Sequence, residues 1–201
     1  MGAAVESIVF PLDSKPYGVT YPEWITRWWR WLLSFPIDKN PAIDQTGMYS
    51  SQKQEHPNVW FLAGTFGGHV RRKCQIPFGK AILMPIINYE CSFADEPAIT
   101  TDAQLELKCK SEIDDIKNLS VIVDDHLFSD ISLYRIRSPF FVIDLLENNV
   151  LGVKPTRTRM ISDGFWIFLK PFGIGIHRII TSGSCRSGTI RIGNTYDLNV
   201  L

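Results

Sequence analysis

The stretch TYPEWITRWWRWLLSF, residues Thr20–Phe35, is the part of the sequence on which the fold prediction depends most. Thr20 and Glu23 stand at the spacing of a capping box, and Pro22 suits the first turn of a helix. Pro36 follows at once and cannot continue a helix. This punctuation predicts a helix over residues 20–35.

One side of the predicted helix is aromatic. Its apolar residues recur at helical spacing, and they are Trp24, Trp28, Trp31 and Phe35. Such a stripe is typical of a helix that docks on a sheet, where each indole ring buries about 150–250 Å². Two alternatives stay open at this point. Rings in a groove beside Trp29 would stack on sugars or bases, or Arg27 and Arg30 would face the headgroups of a membrane interface.

The rest of the chain is rich in predicted strands. Residues 38–57 are polar and turn-rich and predict a long loop. Strand-like runs follow at 59–63, 69–76, 80–87, 119–123, 127–136, 140–145, 164–169, 174–181, 189–192 and 195–200. A second helix is predicted over residues 101–117, with Leu105, Cys109, Ile113 and Ile116 on its apolar face, so that Cys109 points inward.

These elements predict a mainly β fold, either a β-sandwich of jelly-roll or immunoglobulin-like type or a partly open barrel, with two helices packed on it. No linker divides the chain, so residues 1–201 are expected to form one domain. Pro77-Phe78-Gly79 and Lys170-Pro171-Phe172-Gly173 each suit a tight turn. We expect each of them to close a hairpin between the strands on either side.

The charge balance and the length of the apolar runs exclude several classes of protein. The 21 basic and 21 acidic residues cancel, so no overall field would attract a nucleic acid. The one basic run, Arg71-Arg72-Lys73, is typical of a solvated strand face. No apolar run approaches the ~20 residues of a transmembrane helix, so we expect a protein that is not integral to a membrane.

The N-terminal residues and the cysteines bear on the compartment. Residues 1–6 lack the pattern of a signal peptide, which predicts a cytoplasmic protein; an extracytoplasmic location is the alternative if a leader is missing from the sequence. Cys74, Cys91, Cys109 and Cys185 are widely spaced and are expected to be small buried thiols, although their number permits two disulfides. The Gly183–Gly188 segment is expected to be a flexible connection, with an anion site at Arg186 as the alternative.

Polar residues that follow apolar strands are the candidates for a catalytic site. One group comprises Asn88, Glu90 and Asp95, and the other comprises Asp124, Asp125 and His126. Carboxylates and an imidazole at the edge of a sheet serve as acid, base and orienting group, or they hold a divalent cation. Glu90, Asp124 and His126 are therefore the predicted catalytic set, while an ordinary turn at residues 124–126 is the alternative.

The candidate ligand-binding residues are Trp29, Trp60, Arg135 and His177. His177 lies within a strand-like run, where a histidine is more often part of the core or of a sheet edge than a catalyst. The sequence contains no ligand set at metal-binding spacing and no dinucleotide or phosphate-binding motif, so we expect neither a metal site nor a cofactor.

The sequence also resembles a family of uncharacterised bacterial and archaeal proteins with a Trp-rich N-terminal helix. The matching segments span most of the chain: Tyr17–Trp24, Trp28–Trp31, Asp44–Gly47, VWFLAG at Val59–Gly64, PIINYEC at Pro85–Cys91, Asp163–Trp166 and Pro171–Ile179. Many members are exported and carry a further cysteine after the Thr-Gly dipeptide, where this chain has Tyr49-Ser50-Ser51. The resemblance implies no established activity, and it implies that Cys74 lacks this partner.

Two classes of function follow from the sequence. The first is a binding or interaction module that presents loops and an aromatic groove to a small molecule, a glycan or a protein. The second is a hydrolase or lyase that uses Glu90 with Asp124 or His126. A homo-oligomer that assembles through an exposed sheet face is also possible.

Overall fold

The computed structural model describes residues 8–185 and 188–201, so Arg186 and the N-terminal residues on which the signal-peptide prediction rests lie outside the described residues. The strands, in chain order, are β1 Val59–Phe61, β2 Gly68–Ile76, β3 Ala81–Ser92, β4 Lys117–Val123, β5 His126–Leu127, β6 Phe141–Asp144, β7 Arg157–Leu169, β8 Gly175–Cys185 and β9 Ile190–Val200. The first sheet has the order β1-β3-β7-β6, and the second has the order β2-β9-β8-β4-β5. The predicted mainly β fold with two helices is confirmed.

The first sheet is covered on both of its faces. Ile82, Met84 and Ile167 pack with residues of the second sheet, whereas Leu83 and Trp166 pack with the N-terminal helix. Because neither face meets water, β3 and β7 are apolar along most of their length instead of alternating. The molecule therefore has three layers, which are helix, first sheet and second sheet.

Helix α1, Tyr21–Leu33, forms the outer layer over the first sheet. The backbone N–H and the hydroxyl of Thr20 donate to the carboxylate of Glu23, which caps the helix as predicted. The four helix tryptophans are at most 5% exposed, and they are Trp24, Trp28, Trp29 and Trp31. The docking of the aromatic stripe on a sheet is confirmed. The helix ends two residues before the predicted Phe35, which is nevertheless buried.

Helix α2, Asp102–Asp114, packs on β3 and β7. Leu105 and Cys109 lie fully buried against Cys91 and Ile161, which confirms that Cys109 points inward. The helix is shorter than the predicted 101–117, because Lys117 already pairs with β8 as the first residue of β4. None of the described helices is long and apolar enough to cross a membrane.

The two predicted hairpins are wrong. The turn at Pro77-Phe78-Gly79 leads from β2 in the second sheet to β3 in the first, and the turn after Lys170 leads from β7 in the first sheet to β8 in the second. Both turns thus carry the chain across the sandwich. The residues of a tight turn fix the local reversal of the backbone, but they do not determine whether the next strand pairs with the previous one.

Strand pairing depends instead on distant segments. β2 pairs in parallel with β9 from the other end of the chain, and β1 pairs in parallel with β3. The predicted strands at 189–192 and 195–200 form one continuous strand, β9. The predicted strand at 127–136 is wrong, because only His126–Leu127 pairs and a 3-10 turn follows at Ile131–Tyr134.

The interpretation of Arg71-Arg72-Lys73 as a solvated strand face is wrong for Arg72. Its neighbours in sequence are exposed, but Arg72 points inward with the alternation of β2 and is fully buried. Its guanidinium donates to the carbonyl oxygens of Ala42, Asp44 and Ala63 at 2.7 to 3.1 Å. A hydroxyl from the second sheet, Tyr196 Oη, lies 3.1 Å from it. Arg72 therefore anchors the long loop to the sandwich.

Candidate ligand-binding site

A cavity of about 720 Å³ lies beside the free edge of β3. β1 pairs with β3 only at residues 81–83, and in the described part of the chain no strand covers that edge farther along. Helix α1 and the segment after β1 line one side of the cavity, and the end of α2 with the adjoining ends of β8 and β9 lines the other. Its size is within the range of small-molecule sites, about 300–1,000 Å³.

A bulge in β3 determines which side chains reach the cavity. The pairing with β7 shifts register just after Pro85, where a residue without an N–H is tolerated. Beyond the bulge, Asn88 lies opposite Gly164 and Glu90 lies opposite Ser162. Directly opposed residues of two paired strands share a face of the sheet. Asn88 and Glu90 therefore project on the same side, toward α1.

Buried polar atoms without a hydrogen-bond partner among the described residues are concentrated on this face. Two of them belong to side chains that line the cavity, namely Trp29 Nε1 and Asn88 Nδ2. Trp29 is 3% exposed. Two more, Ser162 Oγ and Trp166 Nε1, lie on β7. A buried polar group without a partner costs about 1–3 kcal/mol, so such a concentration requires an explanation.

Glu90 and Asp95 form a pair of carboxyl groups in the wall of the cavity. Burial, and after it the neighbouring Asp95, raises the pKa of Glu90 well above its ordinary value. The backbone N–H and the hydroxyl of Ser92 both donate to Asp95 Oδ1 at 2.7 Å, which fixes the position of that carboxyl group. Glu90 therefore keeps its proton to a higher pH than an exposed glutamate does. It shares a hydrogen bond with Asp95 and can release its proton or donate it to a ligand.

The charged side chains that line the cavity, among the described residues, are all acidic, and they are Glu90, Asp95, Glu96, Glu112 and Asp115. Two lysines outside the lining pair with three of these carboxylates. Lys108 Nζ is 3.7 Å from Glu96 and also binds Glu112, and Lys117 Nζ is 3.7 Å from Asp115. The cavity wall is therefore rich in acceptors and negative charge.

The predicted catalytic set is not assembled in one place. Glu90 lines the cavity near the start of β4, since Ile116 lies in the same wall. Asp124 and His126 follow the last residue of β4, a strand of seven residues that spans about 20 Å. The structure therefore brings Glu90 together with Asn88 and Asp95, and it separates Glu90 from Asp124 and His126.

Asp124 belongs to a compact turn at that opposite end. Its Oδ2 lies 2.6 Å from His177 Nδ1, and its Oδ1 accepts the backbone N–H of Arg178 at 2.8 Å. The ring of His177 stacks on Phe172 with 4.6 Å between centroids, and its Nε2 lies 2.9 Å from the carbonyl oxygen of Gly173. His126 is exposed. The contacts of Asp124 and His177 connect the ends of β4 and β8 to the turn after β7.

Of the four candidate ligand-binding residues, Trp29 alone lines this cavity. Trp60 lies in the core between the two sheets. Arg135 forms a two-pronged ion pair with Asp163 and a further pair with Asp114, each with a shortest contact of 2.7 Å. Arg135 thereby ties α2 to β7.

Several residues of the cavity were not predicted from the sequence. Glu96 and Glu112 lie on a loop and on the exposed side of α2, where acidic residues are ordinary. Within the described residues no group of three or more His, Cys, Asp or Glu side chains is arranged to hold a metal ion.

The chain was compared with known proteins at the level of families, curated sequences and solved structures. No family model, no curated protein and no solved structure matches it significantly. The family resemblance stated from the sequence therefore stays a prediction, and the interpretation of the cavity depends on its own geometry.

Proposed function

We propose that the protein is a binding module for a small organic molecule, which occupies the cavity beside the free edge of β3. One observation carries this proposal. Trp29 Nε1 and Asn88 Nδ2 are buried in the walls of a single cavity, and neither has a hydrogen-bond partner among the described residues, while the buried carboxyl pair of Glu90 and Asp95 lines the same cavity.

The nature of these atoms supports a ligand that carries oxygen atoms. The indole and amide nitrogens are donors, so they require acceptors such as hydroxyl or carbonyl oxygens. The carboxyl group of Glu90 accepts a hydrogen bond or, when protonated, donates one. The apolar part of the wall, which includes Trp28 and Leu32, supplies contact area for carbon atoms.

The alternative function, a hydrolase or lyase based on Glu90, Asp124 and His126, has less support, because β4 separates the first residue from the other two. A glycan end is compatible with the cavity as one kind of small ligand.

The cytoplasmic location predicted from the N-terminal sequence belongs to this proposal as well, and fractionation of cells that express the tagged protein tests it.

A thermal-shift screen with a library of small hydroxylated, carbonyl-bearing and amine-bearing metabolites tests the binding proposal. A ligand at 100 times its Kd stabilises the folded protein by about 2.7 kcal/mol, which is a readily measured rise in Tm. We expect compounds that raise the Tm of the native protein to have less effect on Asn88→Leu and Trp29→Phe. Trp60→Phe is the matched control, because Trp60 lies outside the cavity.

Two results would contradict the proposal. One is a screen in which no compound raises the Tm. The other is a set of active compounds whose effects are the same in Asn88→Leu, Trp29→Phe and the native protein.

A further inference from the structure

The charge of the cavity narrows the chemistry of its ligand. Among the described residues that line it, five side chains are acidic and none is basic. Lys108 and Lys117 offset part of this charge from outside the lining, through Glu96, Glu112 and Asp115. The innermost pair, Glu90 and Asp95, has no ion pair of this kind in the described chain.

Trp29 supplies the second, independent observation. It is 3% exposed, and its Nε1 has no hydrogen-bond partner among the described residues although Trp29 lines the cavity. Glu90 is 7% exposed and lies beside Asp95, and a buried pair of carboxyl groups is the environment in which an ammonium N–H makes strong, charge-assisted hydrogen bonds. An acidic surface patch would lack the buried, unsatisfied nitrogen of Trp29.

Aromatic rings line the same cavity as these carboxyl groups. Trp29 and Phe66 both line the cavity, and Trp28 holds the Trp29 ring edge-on with 5.0 Å between centroids. The face of an indole ring attracts a cation with about 0.5–2 kcal/mol, more when the site is desolvated. The donors of Trp29 and Asn88 remain for an oxygen atom of the same ligand.

We propose that the ligand is a small organic ammonium ion with an oxygen substituent, whose nitrogen binds Glu90 and Asp95 and whose oxygen accepts from Trp29 and Asn88. This inference rests on the proposed function and assigns a chemical class to the ligand of that site. An amino alcohol or an amino sugar has the required groups.

Binding of such a cation is coupled to a proton. In the empty site, burial and the adjacent Asp95 raise the pKa of Glu90, so Glu90 keeps its proton to a higher pH than an exposed glutamate does. An ammonium ion favours the carboxylate, so its binding releases the proton of Glu90 to solvent. The other titratable and charged groups that surround Glu90 are Asp95, Cys91, Glu96, Glu112 and Asp115, with Lys108 and Lys117 outside the lining. Affinity for the cation is therefore expected to increase with pH until Glu90 is ionised in the empty site.

Isothermal titration calorimetry with two matched probes tests the inference. The probes are 4-aminocyclohexanol, whose ammonium keeps its charge well above neutral pH, and the neutral cyclohexane-1,4-diol. We expect the amine to bind at least tenfold more tightly than the diol at neutral pH. Its binding heat should depend on the ionisation enthalpy of the buffer, which reports the released proton.

The variant Glu90→Gln separates charge recognition from mere shape. It should bring the affinity for the amine to within about threefold of that for the diol and abolish the proton release, while affinity for the diol changes by less than about threefold. Glu55→Gln is the matched control, since Glu55 is exposed and lies outside this cavity.

Equal or tighter binding of the diol would overturn the cation inference and leave the binding proposal intact. Absence of binding by both probes would also overturn it, and the thermal-shift screen then decides the binding proposal separately.

Discussion

Gly164 of β7 lies directly against Asn88 of β3, so that a Cβ added to Gly164 would stand 2.6 Å from the Asn88 Cα and 2.7 Å from the carbonyl oxygen of Ile87. The neighbouring atoms are backbone and cannot move away as a flexible side chain does. The close approach occurs beside the bulge that places Asn88 and Glu90 at the cavity. This glycine therefore connects the stability of the sandwich with the geometry of the site.

We expect Gly164→Ala to destabilise the protein by about 2–4 kcal/mol, because the two central strands of the first sheet must separate. Chemical denaturation monitored by circular dichroism measures the free energy of unfolding. The matched control is Gly173→Ala, since nothing lies within 4 Å of a Cβ at Gly173. A loss of stability that is equal for the two variants would show that the contact with Asn88 is not the cause.

Part of the fold follows from local sequence. Helix α1 could be predicted because Thr20, Glu23 and the spacing of its tryptophans are signals within one short segment. The pairing of β2 with β9 could not, because its residues are more than 120 positions apart and no local pattern determines the partner. The same limit explains the two wrong hairpins, since the turn residues do not encode which sheet the chain enters next.

The candidate site, like the fold, could be predicted only in part from the sequence. Asn88, Glu90 and Asp95 were found because they follow an apolar run, and a groove was expected beside Trp29. The rule that polar residues collect at strand ends does not specify which end of the sandwich they occupy. Asp124 and His126 obey that rule at the opposite end of β4 from the cavity.

The buried hydrogen bonds of Arg72 predict the effect of replacing its side chain. Replacement by methionine keeps much of the volume but leaves the carbonyl oxygens of Ala42, Asp44 and Ala63 without their buried donor. We expect Arg72→Met to lower the free energy of unfolding by more than about 3 kcal/mol and to expose the long loop to proteolysis. Limited proteolysis and urea denaturation measure the two effects.

Arg71→Met is the control for Arg72→Met, because Arg71 is the exposed neighbour in the same strand and forms a surface ion pair with Asp197. Exposed ion pairs contribute little to stability, so this variant should resemble the native protein. If both variants lost the same stability, the anchoring role assigned to Arg72 would be wrong.

Adjacent tryptophans of α1 are expected to differ in their roles. Trp28 Nε1 donates to the carbonyl oxygen of Leu62 at 2.9 Å, whereas Trp29 Nε1 has no partner among the described residues. Trp28→Phe removes a buried hydrogen bond and should cost about 1–3 kcal/mol more than Trp29→Phe in urea denaturation. Trp29→Phe should instead have the larger effect in the ligand screen. A reversed order in both measurements would contradict the assignment of the two rings.

The raised pKa of Glu90 predicts how the stability of the protein changes with pH. Burial, then Asp95, raises the pKa of Glu90 in the folded protein above its ordinary value of 4.5, so the folded state binds more protons than the unfolded state above that pH. The contribution of Glu90 to stability is therefore full below pH 4.5 and declines as the pH rises toward the raised folded pKa. Glu90→Gln does not titrate, so its stability relative to the native protein should increase with pH in this window, by at most about 1.4 kcal/mol per pH unit.

Urea denaturation of native protein and Glu90→Gln at several pH values measures this difference in stability, with Glu55→Gln as the exposed control. A difference that stays constant across the window would mean that Glu90 is ionised in the folded protein as readily as in the unfolded chain.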